Sequence, residues 1–365
     1  MEKPRLARID GRQSHDGGGV IGAYLVVRNE GDRLPHLLDY HRRLGVERFF
    51  VCDNGSDDGS TDFLLSQGDC VVYHTAESFG EAGCGMNWIN AMVARHGESG
   101  WCLFIDADEL LVYPHAEKVG LGQFCRFLEK SGHEGMFATM VDMYADGPVA
   151  DAVYVRGTPF VETCPYFDAD YVVRQKASLP FSNRFLDVEA VGGPRLRVFY
   201  PRYHRMNIWE MAVARAMRNL RQHRLGKMIG MQRSSLGSLP PDITKVPLMR
   251  GKPGRRWATN HRTEPLAIAP VTGALLHFKL FSTFDEKARS EVSRGEHWDA
   301  GVEYRRYVAL HEKRASVSFM YENSRRYRSS GDLLQCGIIR STDALDRYAA
   351  APMPAARPRI VSVNP

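Results

Sequence analysis

No apolar run in the sequence approaches the about 18 residues that a membrane-spanning helix requires, so no transmembrane helix is expected. Met1 to Gly19 is charged and Gly-rich and lacks the apolar core of a signal peptide, so it reads as a flexible lead-in. Seven cysteines (Cys52, Cys70, Cys84, Cys102, Cys125, Cys164, Cys336) form an odd set without any Cys-x-x-Cys pair. That spacing argues against a disulfide framework or a zinc site and fits a reducing cytosol. Most of them follow or interrupt apolar runs, where cysteine acts as a small buried hydrophobe. No recognised nucleic-acid motif with interleaved aromatics is present, so no nucleic-acid partner is expected. A formal Gly-x-Gly-x-x-Gly match at Gly17 to Gly22 precedes a strand instead of following one, which removes the dinucleotide reading.

What remains is an ordinary globular composition, 44% hydrophobic and 25% charged over 365 residues, enough for one large domain or two smaller ones. The net charge of +5 is unevenly spread: from Arg195 to Arg262 the chain is crowded with Arg and Lys and has few acids. Such a patch calls for an anionic partner, whether a phosphate-bearing substrate, a membrane surface or a nucleic acid.

Apolar, β-rich runs alternate with helical spacing through the first half. Val20–Val27 predicts a strand ending at Arg28-Asn29-Glu30, and Asp32–Leu44 a helix stopped by Gly45. Val46–Cys52 predicts a second strand, closed by the turn formers and acids of Asp53 to Ser60. Val71–Tyr73 follows as a short strand, Met86–Arg95 as a helix and Trp101–Ile105 as a fourth strand. That last strand runs straight into Asp106-Ala107-Asp108-Glu109. Burying a strand that ends in three acids is costly unless a cation or polar ligand meets them. The alternation predicts an α/β fold with a mostly parallel central sheet and helices on both faces. Ligands of such sheets collect beyond the carboxyl ends of the strands. The clusters at Asn29-Glu30, Asp53-Asn54 and Asp106-Asp108 all fall there, which points to a single site.

These motifs together resemble the family 2-type glycosyltransferases of the GT-A (Rossmann-like) fold. The likeness rests on Tyr24 to Glu30, on Val51 to Ser60 and on the Asp-x-Asp of Phe104 to Glu109. With the late Leu275-Leu276-His277-Phe278-Lys279 element, the chain looks like a branch related to the family 92 transferases. The strong part of the match covers about residues 20–115. The resemblance implies that Arg28, Asn29 and Glu30 lie near the nucleotide, and that Asp53, beside Asn54, accepts a hydrogen bond from the base. It implies that Asp106 and Asp108 hold Mn²⁺ or Mg²⁺ against the diphosphate of a nucleotide-sugar donor. His277 would complete the metal site and Lys279 meet the diphosphate, since the two lie two apart on one face of a predicted strand. Gly85 and Asn87 would line the donor pocket, although Asn87 could equally cap its own helix.

In the second half, Phe124–Glu129 predicts a helix and Met136–Asp142 a strand. Residues 150–190 read as irregular acceptor loops. Gly192-Gly193-Pro194-Arg195 reads as a turn into a strand Leu196–Tyr200, and Ile243–Met249 as another strand. Ile208–Met228 has the spacing of an amphipathic helix, with Ile208, Ala212, Ala216 and Leu220 on one face and four arginines around the other. That helix reads either as docked on the core or as attached to an anionic membrane surface. An inverting transferase needs a carboxylate to deprotonate the acceptor hydroxyl; Asp142 and Glu189 are the candidates, with Glu109 a third. His261 is a further donor or acceptor contact.

The expected organisation is a lead-in at 1–19 and a catalytic domain at 20–285. That domain divides at 115 into a nucleotide-sugar half and an acceptor half carrying a basic insertion at about 195–262. A helical extension at 286–348, with two helices between Asp285 and His311, and a disordered tail at 349–365 complete it. The expected function is metal-dependent transfer of a sugar to a glycan or lipid-linked glycan acceptor, with inversion, in the cytoplasm or on the inner membrane face. Lipopolysaccharide core or surface polysaccharide synthesis is the setting the resemblance implies. The rivals are a nucleotidyl- or phosphotransferase, which should carry a Gly-rich loop after its first strand, and a binding protein that has lost catalysis.

Overall fold

The computed structural model describes residues 4–12, 19–175, 188–204, 206–222, 240–294, 305, 308 and 318–351. Its strands begin with β1 (Ala7–Arg8), β2 (Ile21–Val27), β3 (Arg48–Asp53), β4 (Cys70–His74) and β5 (Trp101–Phe104). They continue with β6 (Glu109–Val112), β7 (Gly135–Asp142), β8 (Tyr166–Asp168), β9 (Val172–Gln175) and β10 (Val188–Val191). The last are β11 (Thr244–Arg250), β12 (Trp257–Thr259), β13 (Arg262–Thr263), β14 (Ile268–His277) and β15 (Ser324–Arg326). Nine form one sheet in the order β1-β4-β3-β2-β5-β11-β7-β14-β6. β4, β3, β2 and β5 are mutually parallel. β7 and β14 share their direction, because both steps through β11 are antiparallel. Only β1, β11 and β6 oppose them. The sheet is mostly parallel, as the alternating sequence predicted.

Strands buried on both faces read as continuous apolar runs, and their side chains alternate between two cores. Ala23, Leu25 and Val27 of β2 enter one core with Leu34 and Leu37 of α1 (Leu34–Leu44). Leu64 of α2 (Ser60–Ser66) enters the same core. Tyr24, Phe50, Cys52 and Phe104 point the other way, onto Trp88, Ile89 and Met92 of α3 (Met86–His96). Leu121 and Phe124 of α4 (Leu121–Lys130) rejoin the first core, so helices cover both faces. α1 stops at Gly45, where φ is 120° and the N–H donates to the His41 and Arg42 carbonyls. Only glycine takes that backbone shape without strain.

Several expectations need correction. Residues 193–199 form a helix, not the turn and strand read from the sequence. Pro194 lies in its first turn, where the missing N–H is no loss, and Gly192 and Gly193 (φ 138° and 85°) make the entry. Leu196 and Phe199 then pack into a third core with Tyr200, Tyr203, Met211 and Phe284. The lead-in supplies an edge strand, since Ala7 and Arg8 pair with β4. β14 ends at His277, so Lys279 lies beyond it and shares no strand face with the histidine. The predicted helix Ile208–Met228 is described as Ile208–Gln222. Met211, Ala212 and Ala214 are buried while Trp209, Val213 and Met217 are exposed, so its docked side is offset from the face the spacing marked.

The expected boundary at 285/286 falls inside the helix Phe284–Arg294, and of the second helix expected before His311 only Arg305 and Val308 are among the described residues, both helical. Residues 318–351 pack onto the main body: β15 pairs with β8, Arg340 bonds Thr272, and Leu345 joins the first core. Ala349 and Ala350 close the helix Asp343–Ala350; the tail beyond 351 lies outside the described residues. Among the described residues no helix is long and apolar enough to cross a membrane.

Candidate active site

Three neighbouring strands bring distant residues into one row. Along β6, β14 and β7, Glu109 lies opposite His277 and His277 opposite Asp142. His277 Nδ1 is 2.7 Å from Asp142 Oδ1, and its Nε2 is 3.5 Å from Asp108 Oδ2. Arg195, carried by the helix Gly193–Phe199, donates from Nε to Asp142 Oδ2 at 2.7 Å. The Asp142 backbone N–H donates to the Tyr171 hydroxyl at 2.9 Å. Burial alone would raise the Asp142 carboxyl, but the Arg195 guanidinium and the hydrogen bond from His277 reverse this and hold it at about 2.

Asp108 sits at the turn between β5 and β6. Burial opposes its charge, yet His277, Arg33, Lys279 and Lys287 keep the carboxyl well below the usual carboxylate range. Glu30 gathers two of those cations: its Oε2 accepts from Arg33 Nη1 at 3.0 Å and from Lys287 Nζ at 2.7 Å. Basic side chains therefore act on the Asp108 carboxylate at the carboxyl edge of the sheet, two of them paired with Glu30.

Asp106 turns the opposite way. Its Oδ2 is 3.2 Å from Lys245 Nζ, which lies 2.6 Å from Glu109 Oε2. Glu109 Oε2 also accepts the Asp106 backbone N–H at 2.9 Å. Lys245 and Glu109 are buried, whereas the Asp106 side chain is 49% exposed. The Lys245 ammonium rests 4.4 Å over the Phe104 ring. Burial would lower its pKa, but Asp106 and Glu109 keep it raised, so it is a cation. Lys245 is the residue that sequence reasoning missed. The signal was a lysine inside the apolar Ile243–Met249 run, since lysine is almost never fully buried unless paired. Burial holds the His261 imidazole below its usual pKa, and Asp242, Lys245 and Asp106 are the charges that reach it. That places His261 on the Asp106 side.

On the far side of the edge, polar groups brace loops. Asp53, buried at the end of β3, accepts from Ser56 Oγ at 2.5 Å and from Thr61 Oγ1 at 3.1 Å, with His74 Nδ1 at 3.4 Å. Asn54 donates through Nδ2 to the Thr75 and Glu77 carbonyls. Asn29 takes the left-handed conformation (φ 54°), which asparagine tolerates better than most residues. Its N–H donates to Ser56 Oγ, and its Oδ1 accepts from the Asp57 N–H. Arg28 is exposed, with Nη1 3.4 Å from the Asn54 carbonyl. Asn87, half-buried in the first turn of α3, is not the cap of that helix; Gly85 is, at φ 77°.

The two proposed bases are separated. Glu189 lies on β10, ion-paired at 3.0 Å with Arg174 of β9, its partner across that ribbon. Asp142 belongs to the histidine row, buried and with both oxygens engaged. Among the described residues no group of three or more His, Cys, Asp or Glu side chains is arranged to hold a metal ion.

No family model matches the chain. Over 124 residues it is 32% identical to a glycosyltransferase family 92 protein of Ricinus communis, a match covering 30% of this chain and 20% of the relative. Over 128 residues it is 31% identical to one of Arabidopsis thaliana, covering 32% and 22%. A third, from Oryza sativa subsp. japonica, is 34% identical over 98 residues, covering 24% and 15%. The chain spans about a fifth of the length of the curated relatives it matches. Mannosyl-3-phosphoglycerate synthase from Rubrobacter xylanophilus aligns over 64% of this chain and 87% of its own, with 16% identity and a TM-score of 0.28. A 4-diphosphocytidyl-2C-methyl-D-erythritol synthase aligns over 36% and 62%, with 14% identity and a TM-score of 0.24. Structural likeness at these scores carries no argument. The sequence similarity does: over roughly a third of its length or less, the chain is similar to family 92 glycosyltransferases.

Proposed function

We propose that the protein is a glycosyltransferase that passes a sugar from a nucleotide-sugar donor to a glycan acceptor, with a divalent Mn²⁺ or Mg²⁺ at Asp108 and His277. The observation that carries this reading is His277, fixed by Asp142 on one nitrogen and facing Asp108 with the other. A carboxylate oxygen and an imidazole nitrogen suit such an ion. The carboxylate behind the histidine is the partner that ligating imidazoles commonly have. Two protein ligands suffice where substrate phosphates supply the rest. When bound, the ion would offset charge on the departing nucleoside diphosphate.

The protein's own residues do the remainder. Asp142 accepts the hydrogen bond from Nδ1–H, which leaves Nε2 the nitrogen on the Asp108 side. Arg195 keeps Asp142 ionised and in place. Arg33, Lys279 and Lys287 supply positive charge where a diphosphate would lie. The loops braced by Asn29, Asp53 and Asn54 form the nucleoside side. Asp142 thus becomes an orienting residue, and Glu189 a structural one. Direct displacement with inversion, and a lipid-linked glycan at an anionic membrane surface as acceptor, are part of this proposal; the basic stretch 195–262 supports the latter.

A panel of nucleotide sugars, incubated with and without Mn²⁺, tests the reading. Metal-stimulated release of nucleoside diphosphate from one donor, lost in His277→Ala, is the expected result. Absence of release from every donor, with metal and acceptor extracts present, would contradict it.

A further inference from the structure

The Asp-x-Asp pair is split. Asp108 faces His277, while Asp106 is held by Lys245 at 3.2 Å. Lys245 cannot swing into solvent: it lies within β11, antiparallel between β5 and β7, buried and over the Phe104 ring. Glu109 secures the arrangement from both sides, with the ammonium at 2.6 Å and the Asp106 backbone N–H at 2.9 Å on the same oxygen. Its second oxygen, Oε1, is buried without a hydrogen-bond partner. A buried ammonium is tolerated only while such partners stay in place. One oxygen of the first Asp-x-Asp carboxylate, Asp106 Oδ2, is therefore already engaged by a cation belonging to the protein.

We propose that Lys245 is a positioning residue, a built-in cation that withdraws Asp106 from the divalent ion and leaves the ion to Asp108 and His277. The inference rests on the metal reading above and deepens it. One carboxylate and one imidazole hold a divalent ion weakly on their own. The diphosphate oxygens of the donor complete the coordination, so ion and nucleotide bind together and depart together. Lys245 thereby makes metal occupancy depend on the donor.

Removing Lys245 alone would strand the Glu109 carboxylate, so the informative variant is Lys245→Met with Glu109→Gln. Methionine fills the space over Phe104, and the glutamine carbonyl can still accept the Asp106 N–H. Mn²⁺ binding is measured by electron paramagnetic resonance and calorimetry, with and without a nucleoside diphosphate. The wild type should bind Mn²⁺ weakly alone and much more tightly with the nucleotide. The double variant should bind Mn²⁺ alone at least about tenfold more tightly, the scale of changes around metal ligands. Adding Asp106→Asn should cancel that gain, whereas Asp106→Asn in the wild type should leave the affinity nearly unchanged. A purely structural Lys245 would produce no gain and no reversal.

Two failures are distinguishable. If wild type binds no Mn²⁺ even with nucleotide, the metal reading falls and the inference with it. If wild type binds but Asp106→Asn weakens binding as much as Asp108→Asn, or the double variant binds like wild type, Lys245 lacks this role while the metal reading stands. Should the double variant not fold, the Asp106→Asn comparison decides alone.

Discussion

The two ends of the carboxyl edge are built by different means. At the end where β3 stops, Asp53 is held by Ser56 and Thr61, three and eight residues away, and hydroxyls and backbone N–H groups do most of the holding. At the end where we propose a metal, titratable groups hold one another across the sheet: His277 reaches Asp142 across 135 positions, and Lys245 reaches Asp106 across 139. Local bonds from hydroxyls and backbone N–H groups contribute modestly, whereas breaking one partner of a buried ion pair leaves an uncompensated charge. The first end should tolerate change; the second should not.

The largest contrast is in catalysis. Asp108→Asn or His277→Ala should lower kcat/KM for transfer by at least about 100-fold, since a metal contributes several kcal/mol to stabilising the transition state. An equally large loss in Asp53→Ala would erase the contrast. Next is stability: Asp142→Ala removes the carboxylate of a buried ion pair with Arg195 and should cost about 3–5 kcal/mol in urea denaturation. A loss under 1 kcal/mol, roughly the worth of an exposed pair, would show that this corner is not sealed from water.

A neutral buried group beside the corner sharpens the comparison through pH. His41 Nδ1 is 2.9 Å from the Leu37 carbonyl, and the Leu111 N–H donates to Nε2 at 3.4 Å. Burial holds this imidazole at about 4, below its ordinary value of 6.5. The unfolded chain therefore takes up the proton first, and stability is lost as pH falls from 6.5 towards 4. The His41 part of the loss should reach about 2 kcal/mol by pH 5 and be missing in His41→Gln, which keeps the part from His36, also held at about 4 by burial. A pH-independent wild type between 7 and 5 would contradict the neutral, buried assignment. The smallest effect is expected for Asp53→Ala, about 1–2 kcal/mol in denaturation, with Mn²⁺ affinity unchanged.

This division also explains what could be read in advance. The strands through Ile105 and the helices α1 and α3 follow from apolar runs and from Gly45, which are local signals. The polar clusters at strand ends were legible because a parallel sheet gathers them at one edge. Residues 193–199 were misread because Gly-Gly-Pro opens a turn and a helix alike, and only burial of Leu196 and Phe199 decides between them. The partners of Asp106 and Asp142 were illegible for another reason. Which charge neutralises which depends on the order β5-β11-β7-β14-β6, in which β11 is inserted from 139 residues away. The sequence signals a buried charge; it does not say whose.

The central claim is that Asp108 and His277 hold a divalent ion against a nucleoside diphosphate. Thermal shift with a panel of nucleoside diphosphates, each with and without Mn²⁺, on wild type and Asp108→Asn tests it most directly. The account predicts that at least one diphosphate raises the wild-type Tm only when Mn²⁺ is present, and that Asp108→Asn shows no such rise. An equal rise in both proteins, or none in the wild type with any nucleotide, would contradict it.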